Sequence, residues 1–509
     1  MNLQNSRCMN KLRYILLMCL LACGMTAGAQ TYDQVVRGNF WNSSQNITGV
    51  RQDGWSCSYA EVLGKYEAGG FRDSWQAPKG WSAGATTASI RHFDRMTLKG
   101  SFSFMQTEGY DMCGSMFINP GYYPVDVLEF TPGRKTLQTY AFDGGLSYDL
   151  TRSWRIGAMM DFESANMAKR KDLRHANWLL DMKVAPGVMY HSGDWAFGAN
   201  YIYRRSTESV EAEQIGVSES SYYAFLDKGL MYGVYNIWTG SGLHLNESGV
   251  KGLPVMEQSN GLAVQMQYKG FFAEAEYLHS DGKIGEKEYV WLVFPGNSAN
   301  LRMAYRRYAG NAWHYARLDF GWRGRTMDET VLEKVTEGGV STVVKHGQNQ
   351  ILTQSGWSLK PEYEYVANQF EVLAKAEIGV KEEVASQMYP YVNWQTLVNY
   401  GADIRMKYRW SRFVMTAEVG YAAGKVQESS WLNDDQAGVQ TAPFRLQEYY
   451  DWQTEYATAA RMKAGMVFRW YFWADLYVQA DAYLTHAFAL NHVASPNRFA
   501  TTLRLGFNF

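Results

Sequence analysis

The sequence predicts an all-β fold: a transmembrane antiparallel β-barrel of about eighteen strands, with sixteen as the alternative count. Three observations predict it. Segments that alternate apolar and polar residues recur from Trp55 to the end of the sequence. The connections between them alternate between short and long. The final stretch, Arg498 to Phe509, sets Phe499, Thr501, Leu503, Leu505, Phe507 and Phe509 against Ala500, Thr502, Arg504, Gly506 and Asn508. A period of two places these sets on opposite faces of one strand. So apolar a strand is a hazard at the open edge of a soluble sheet. In a closed barrel it pairs with the first strand and turns its apolar face to lipid.

Composition agrees. The chain has 509 residues, of which 19% are charged and 15% aromatic, with 47 Gly and only 11 Pro. Mean hydropathy is −0.34, which argues against a bundle of membrane helices. Alternating barrel strands give this combination of average polarity and many aromatics. The net charge of −1 gives no support for nucleic-acid binding.

The N-terminus is the exception to the strand pattern. Lys11 and Arg13 precede Tyr14-Ile-Leu-Leu-Met-Cys-Leu-Leu-Ala-Cys, and Ala27-Gly28-Ala29 follows. Basic, apolar, then Ala-x-Ala reads as a secretory signal peptide over 1–29. Lipidation at Cys23 is the competing reading, with Leu21 a poor fit to it. Residues 30–54 form a short periplasmic lead, too short for the plug of a TonB-dependent receptor but long enough to tuck into a lumen. The barrel is assigned to 55–509.

Within the barrel several strands are clean. Leu98, Gly100, Phe102 and Phe104 alternate with Lys99, Ser101 and Ser103. Trp154, Ile156, Ala158, Met160 and Phe162 alternate with Arg155, Gly157, Met159, Asp161 and Glu163. Val398 to Trp410 and Leu476 to Leu484 behave alike. A soluble sandwich could show this pattern in some strands, but not in nearly every strand of a chain this long. Short turns are placed at 93–95, 150–152, 192–194, 269–270, 309–310, 367–368, 410–412 and around 471–472. Long extracellular loops are placed at 107–136, 165–177, 205–260, 282–300, 324–350, 382–395, 425–454 and 486–497. The parity closes, with both ends of the barrel on the periplasmic side. Trp154, Trp195, Phe271, Trp410, Phe413, Trp470 and Trp473 flank the short turns, as an interfacial girdle requires. Cross-strand pairing in hairpins would also place some aromatics there. Cys57 falls at the periplasmic start of strand one and Cys113 in an extracellular loop. The barrel wall separates them by roughly 25 Å, so no disulfide is expected between them.

Alternation turns a set of charges inward. From the last strands come Arg405, Lys407, Arg461, Lys463, Arg469 and Arg504, with Asp403, Glu418, Asp475 and Asp481. Around the rest of the wall come Asp181 and Lys183, Arg317 and Asp319, and Glu371, Lys375 and Glu377. A barrel this wide cannot fill its lumen with side chains, so water enters unless a segment plugs it. The charges read either as a pore wall that selects polar solutes or as pairs that brace a wide lumen. Their balanced signs give no anion or cation preference. The 205–260 stretch holds Tyr222, Tyr223, Phe225, Tyr232, Tyr235 and Trp238. So many aromatics should not face water, so this stretch is expected to fold into the lumen as a constriction or to pack over its mouth.

Nothing specifies catalysis. The sequence has no Gly-x-Ser-x-Gly, no His-Glu-x-x-His and no Cys-x-x-Cys. His279, His486 and His492 fall near extracellular strand ends, where a rim-type enzyme would place its groups, yet lone loop histidines are usually polar surface. Asp111 to Met116 with His279 offers soft ligands for metal or haem capture. No bound cofactor and no metal site is assigned.

The final strand resembles the C-terminal signature of bacterial outer-membrane barrels. That resemblance implies that Leu503, Leu505, Phe507 and Phe509 are read by the barrel-assembly machinery. As architecture, Trp55 to Phe509 resembles the uncharacterised, porin- or transporter-like outer-membrane barrel families of Bacteroidota-type bacteria, which lack a plug domain. The resemblance implies an outer-membrane location and, for some members, a surface lipoprotein partner. The leading expectation is a plug-less, non-catalytic channel or transporter subunit for polar solutes. The alternatives are an interaction barrel serving a surface lipoprotein in nutrient uptake (iron or haem included) or secretion, and a barrel enzyme. A lumen blocked by 205–260 would favour the interaction barrel.

Overall fold

The computed structural model describes residues 32–53, 56–213, 222–238, 253–286, 289–388, 391–431, 446–473 and 475–509. The proposed signal peptide and residues 30, 31 and 54 therefore lie outside the described residues. Among those described, eighteen strands close into one antiparallel barrel. In chain order they are β1 (Cys57–Gly69), β2 (Lys79–His92), β3 (Met96–Ser115), β4 (Asp126–Asp149), β5 (Trp154–Lys169), β6 (Arg174–Ser192) and β7 (Trp195–Glu213). A hairpin of β8 (Tyr222–Asp227) and β9 (Gly233–Trp238) interrupts the series. The wall resumes with β10 (Leu253–Tyr268), β11 (Phe271–Glu286), β12 (Tyr289–Ala309), β13 (Ala312–Glu337), β14 (Val340–Ala367) and β15 (Phe370–Met388). It ends with β16 (Tyr391–Trp410), β17 (Phe413–Ser430), β18 (Arg461–Trp473), β19 (Leu476–Ala487) and β20 (Asn497–Asn508).

The seam pairs Tyr59 with Asn508, Gly64 with Leu503 and Gly69 with Arg498. Backbone bonds of 2.8 and 2.9 Å between Ser58 and Phe509 finish it. The alternation read from the sequence is the one observed: Phe499, Leu503 and Leu505 point outward, while Thr502 is buried and Arg504 faces in. Outward Met160, Met406, Met462 and Met466 extend the apolar face. At the periplasmic rim several turns have two residues, as between Tyr268 and Phe271 or Ala367 and Phe370. Lys269 (φ 50°) and Asn368 (φ 48°) take the positive φ that such hairpin turns need. Trp154, Trp195, Trp410, Trp470 and Trp473 are exposed just above these turns. Phe413 stacks on Trp470 at 6.3 Å, so girdle residues also pair across strands.

The extracellular connections are shorter than the sequence suggests. The wall continues through most of the stretches read as loops, leaving 116–125 of 107–136, while β11 and β12 take up 282–286 and 289–300. Above the membrane neither face meets lipid, so the apolar/polar alternation fades while the ladder of backbone bonds goes on. Cys113 accordingly lies in β3 and not in a loop, and neither it nor Cys57 forms a disulfide. The largest extension is the β13–β14 ribbon. From Thr330 to Ile351 its two strands pair with each other, beyond the last partners on β12 (Leu292) and β15 (Ala385).

The lumen is filled from both ends. The lead segment lies inside the barrel as helix α1 (Tyr32–Gly38) and two 3-10 turns, Phe40–Ser43 and Ile47–Asp53. Asn39 ties the turns together, accepting from Trp41 N (3.0 Å) and donating to Gly49 O (3.1 Å). Trp41 is fully buried among Met189, Ala196, Phe272 and Ala304. Ile47 and Val50 pack on Met159, Ala185, Ile202 and Ala263. Asn46 donates to Val188 O (3.1 Å) and Gln265 Oε1 (3.0 Å), which fixes the segment to β6 and β10. A Cβ on Gly157 would stand 2.7 Å from Ile47, so the wall is cut back to bare backbone where the segment lies.

At the other end three elements fold inward: the 116–125 loop, the β8–β9 hairpin, and helix α2 (Leu446–Thr458). The hairpin pairs with the top of β4, Val127 opposite Leu226 and Glu129 opposite Ala224. Met116, Phe117, Tyr123 and Val125 bury against Val255, Ile284, Phe294, Met327 and Leu352 of the wall. α2 is held by Trp452 Nε1 donating to Arg72 O (2.8 Å) and by Gln395 Nε2 donating to the Tyr450 hydroxyl (2.6 Å).

The outward alternation yields a direct expectation. Leu503→Arg, on the lipid face of β20, should weaken folding into vesicles by about 2–4 kcal/mol if it sits near the bilayer midplane. Urea titration of reconstituted protein measures this, and an unchanged midpoint would mean that this face does not meet lipid.

Candidate functional site: the charged lumen

Between the two fillings lies a chamber divided into adjoining cavities. One of about 570 Å³ sits under Tyr122, between Glu257, Arg323 and Trp357. It shares Trp357, Val380 and Lys381 with one of about 750 Å³, which in turn shares Glu362 and Lys375 with a third of about 590 Å³ beside α1. A fourth, about 400 Å³, opens from Tyr122 and Arg204 toward β4–β6. A fifth, about 270 Å³, lies beneath the extracellular cap between Tyr123, Asp227 and Tyr450.

Most of the charges expected on the wall are there. Asp181 pairs with Arg204 at 2.7 Å, and Lys183 with Asp161. Asp319 accepts from both Arg302 (2.9 Å) and Arg317 (2.6 Å). Glu371 holds Lys407 at 3.0 Å and Lys375 holds Glu362 at 3.0 Å. Glu377 pairs with Lys360 at 2.8 Å. Glu418 is buried between Arg405 (3.3 Å) and Lys463 (2.7 Å). Asp481 meets Arg504 at 3.2 Å, and Arg469 donates to Gln479 at 2.7 Å. Asp403 and Arg461 line the 750 Å³ cavity, Arg461 donating to Tyr456 O at 3.1 Å. Asp475 is the exception: it lies in the periplasmic turn between β18 and β19 and not on the lumen wall. β19 begins at Leu476, so the strand's alternation does not reach Asp475.

Of the loop aromatics, Phe225 is fully buried against Leu128, Met231 and Leu446, and Tyr232 packs on the main buried cluster. Tyr222, Tyr223, Tyr235 and Trp238 belong to β8 and β9, and their side chains lie outside what is described. The sequence reading missed three contributors: Arg37 of α1, which pairs with Glu364, the Tyr122–Tyr123 loop, and α2. The apolar run Met116-Phe-Ile-Asn-Pro-Gly-Tyr-Tyr-Pro-Val carried the same signal as 222–238, aromatics inside an apparent loop.

The rim histidines do not assemble a site. His279 is exposed on β11, bonded to Asn297 at 3.0 Å, and His486 bonds Asn497 at 2.8 Å. Cys113 lies inside the cap, 3.8 Å from the Tyr449 hydroxyl, so it and exposed His279 are not brought together. Among the described residues no group of three His, Cys, Asp or Glu is placed to hold a metal ion.

The cap carries its own titration. Burial pushes the Tyr122 hydroxyl up to about 12, so it stays a neutral donor to Glu257 (3.3 Å). Burial likewise pushes the Asp227 carboxyl up to about 8, against a bond from Gly229 N (2.8 Å) and helped by Glu383 and Asp126.

A closed apolar-faced β-wall around a charged, internally capped chamber defines a transmembrane β-barrel of the outer-membrane fold class. The chain belongs to a family of unknown function, DUF6850, whose profile matches residues 49–509. No curated protein matches the sequence. Among solved structures, it is similar to the siderophore receptor PiuA from Acinetobacter baumannii, at 8% identity and TM-score 0.42, over 88% of this chain and 82% of that one. It is similar to the outer membrane protein opdK from Pseudomonas aeruginosa at 7% identity and TM-score 0.35, over 90% of this chain and 99% of that one. The FrpB iron transporter from Neisseria meningitidis matches at 7% identity and TM-score 0.43, over 89% of this chain and 81% of that one.

The raised Asp227 pKa fixes the sign of a pH effect. The docked hairpin favours the protonated acid, so docking is strongest below the free-chain pKa of about 4 and weakens as pH rises toward about 8. The slope is at most about 1.4 kcal/mol per pH unit. Amide exchange in β8 and β9, corrected for intrinsic rates, should be faster at pH 8 than at pH 5. Asp227→Asn should flatten the difference. Equal protection at both pH values in the parent would refute the assignment.

Proposed function

We propose that the protein is a gated, non-catalytic outer-membrane channel or transporter subunit for polar solutes, exported by its signal peptide in a Bacteroidota-type bacterium. The supporting observation is the chamber itself. Its cavities adjoin one another from the underside of the cap to α1, and charged side chains line them throughout. What closes the chamber is not wall. The 116–125 loop, the β8–β9 hairpin and α2 are connections between strands, and they can be displaced without breaking the barrel's ladder. Passage requires these elements, or the lead segment, to move.

A second reading has its own observation. The β13–β14 ribbon between Thr330 and Ile351 stands free of the wall, with Val331 and Val344 exposed. Isolated two-stranded ribbons are marginal in water. A surface lipoprotein bound along this ribbon would steady it, which suits an interaction barrel for nutrient uptake. The blocking of the lumen by part of 205–260 also favours this reading.

The experiment is single-channel conductance in a planar bilayer. It compares the parent with a variant in which 214–252 is replaced by a short Gly-Ser turn, since Val210 and Leu253 already pair. Brief or small openings in the parent and a severalfold larger conductance in the variant support a gated channel. Silence in both would sink it and leave the interaction barrel.

A further inference from the structure

Resting on the channel reading, we infer that the 590 Å³ cavity beside α1 binds small oxyanions, carboxylate or phosphate, making anionic solutes the class this lumen handles. The sequence suggests balanced charge, and over the whole chain the totals are nearly even, 49 Lys and Arg against 50 Asp and Glu. The geometry is not. This cavity is lined by seven cationic side chains against four carboxylates. β16 supplies Arg405, Lys407 and Arg409 at successive inward positions, about 7 Å apart along the strand. Arg469 on β18 and Arg504 on β20 continue the positive surface around the arc.

The ion pairs of this cavity strengthen the bias, because they share one orientation. Glu418 is 8% exposed while its partner Arg405 is 46% exposed. Asp481 is 5% exposed against 31% for Arg504, and Glu364 7% against 35% for Arg37. In each case the carboxylate is sunk against the wall and the cation reaches into the chamber. A solute there meets positive ends even where the pair sums to zero. Elsewhere in the barrel pairs are reversed, among them Lys183 at 20% with Asp161 at 34%, Lys99 at 14% with Asp143 at 33%, and Arg155 with Asp149. Asp181 with Arg204, between those two arcs, keeps the cation outermost. The positive surface is therefore a property of the β14–β20 side.

Arg409 adds a cation with no carboxylate at ion-pair distance among the described residues. Guanidinium groups suit oxyanions because they present paired donors to two oxygens at once. Arg405, Arg409, Arg469 and Arg504 are all guanidinium groups on one concave surface. Tyr471 and Tyr483 complete the lining with hydroxyls.

The test uses the full chain refolded in detergent at low ionic strength, titrated with sodium succinate and, separately, sodium phosphate, and followed calorimetrically. Binding is expected for at least one, weakening as salt is added. Arg409→Gln and Arg469→Gln should each lower the affinity roughly fivefold, as loss of a charge-assisted contact in a wet site implies. Lys269→Gln, a cation on an exposed periplasmic turn, should leave binding as in the parent. No binding of either anion, or arginine variants that bind like the parent, would overturn the inference. Reversal potentials in a potassium chloride gradient add an independent reading. Chloride should be favoured over potassium, and a ratio at or below one overturns the assignment. Anion binding without any conductance would instead count against the channel reading while leaving the site in place.

Discussion

Every backbone N–H and C=O that meets hydrocarbon must be bonded within the wall, and the antiparallel pairing of β1 with β20 is what satisfies that demand for the sheet as a whole. Without the seam, two edges of unpaired groups would lie in lipid. Its register, Gly64 opposite Leu503, also sets which residues of every other strand face outward, because a shift of one residue turns each side chain to the other face. Outward leucines and inward arginines are consequences of one alignment. The aromatic rim follows as well, since the depth of each two-residue turn depends on where its strands are held.

Closing eighteen strands leaves a lumen too wide for wall side chains to fill. This protein meets that problem with polar and apolar means at different places. On the β4–β12 side the lead segment inserts Trp41, Ile47 and Val50 into patches of small residues and satisfies its backbone through Asn39 and Asn46. On the extracellular side apolar loops bury one another. Along β13–β20 none of the described filling residues packs on the wall over much of its height, and there the surface is charged. The division between packed and charged halves decides where a solute can be.

The fold was legible because lipid imposes a strict period of two, and nothing else in a long chain imitates it strand after strand. Legibility ended where lipid ends. In 331–350 the pairing continues through Glu337 and Val340 beyond the wall's neighbouring strands, so no alternation marked those residues as strand. The inward charges were readable from the same period, and Asp475 was misplaced because a turn begins where the count had not yet stopped. The direction of the ion pairs was not readable. Whether Glu418 or Arg405 lies deeper depends on side-chain length and on neighbouring strands, and both occupy equivalent inward positions in the sequence. Contacts such as Arg37 with Glu364 join residues more than three hundred positions apart, which no local pattern encodes.

The β13–β14 ribbon also determines which part of the molecule an approaching body encounters. With eight residues of β13 beyond the last contact with β12, it can stand up to about 30 Å above its neighbours. An antibody or a phage tail would touch the Gly338–Gly339 turn (φ 58° and 83°) before it reached the mouth. That turn contributes nothing to the seam, the fillings or the chamber. Changes in the ribbon's sequence therefore cost the barrel little, and immune pressure can be answered there while the chamber below stays the same.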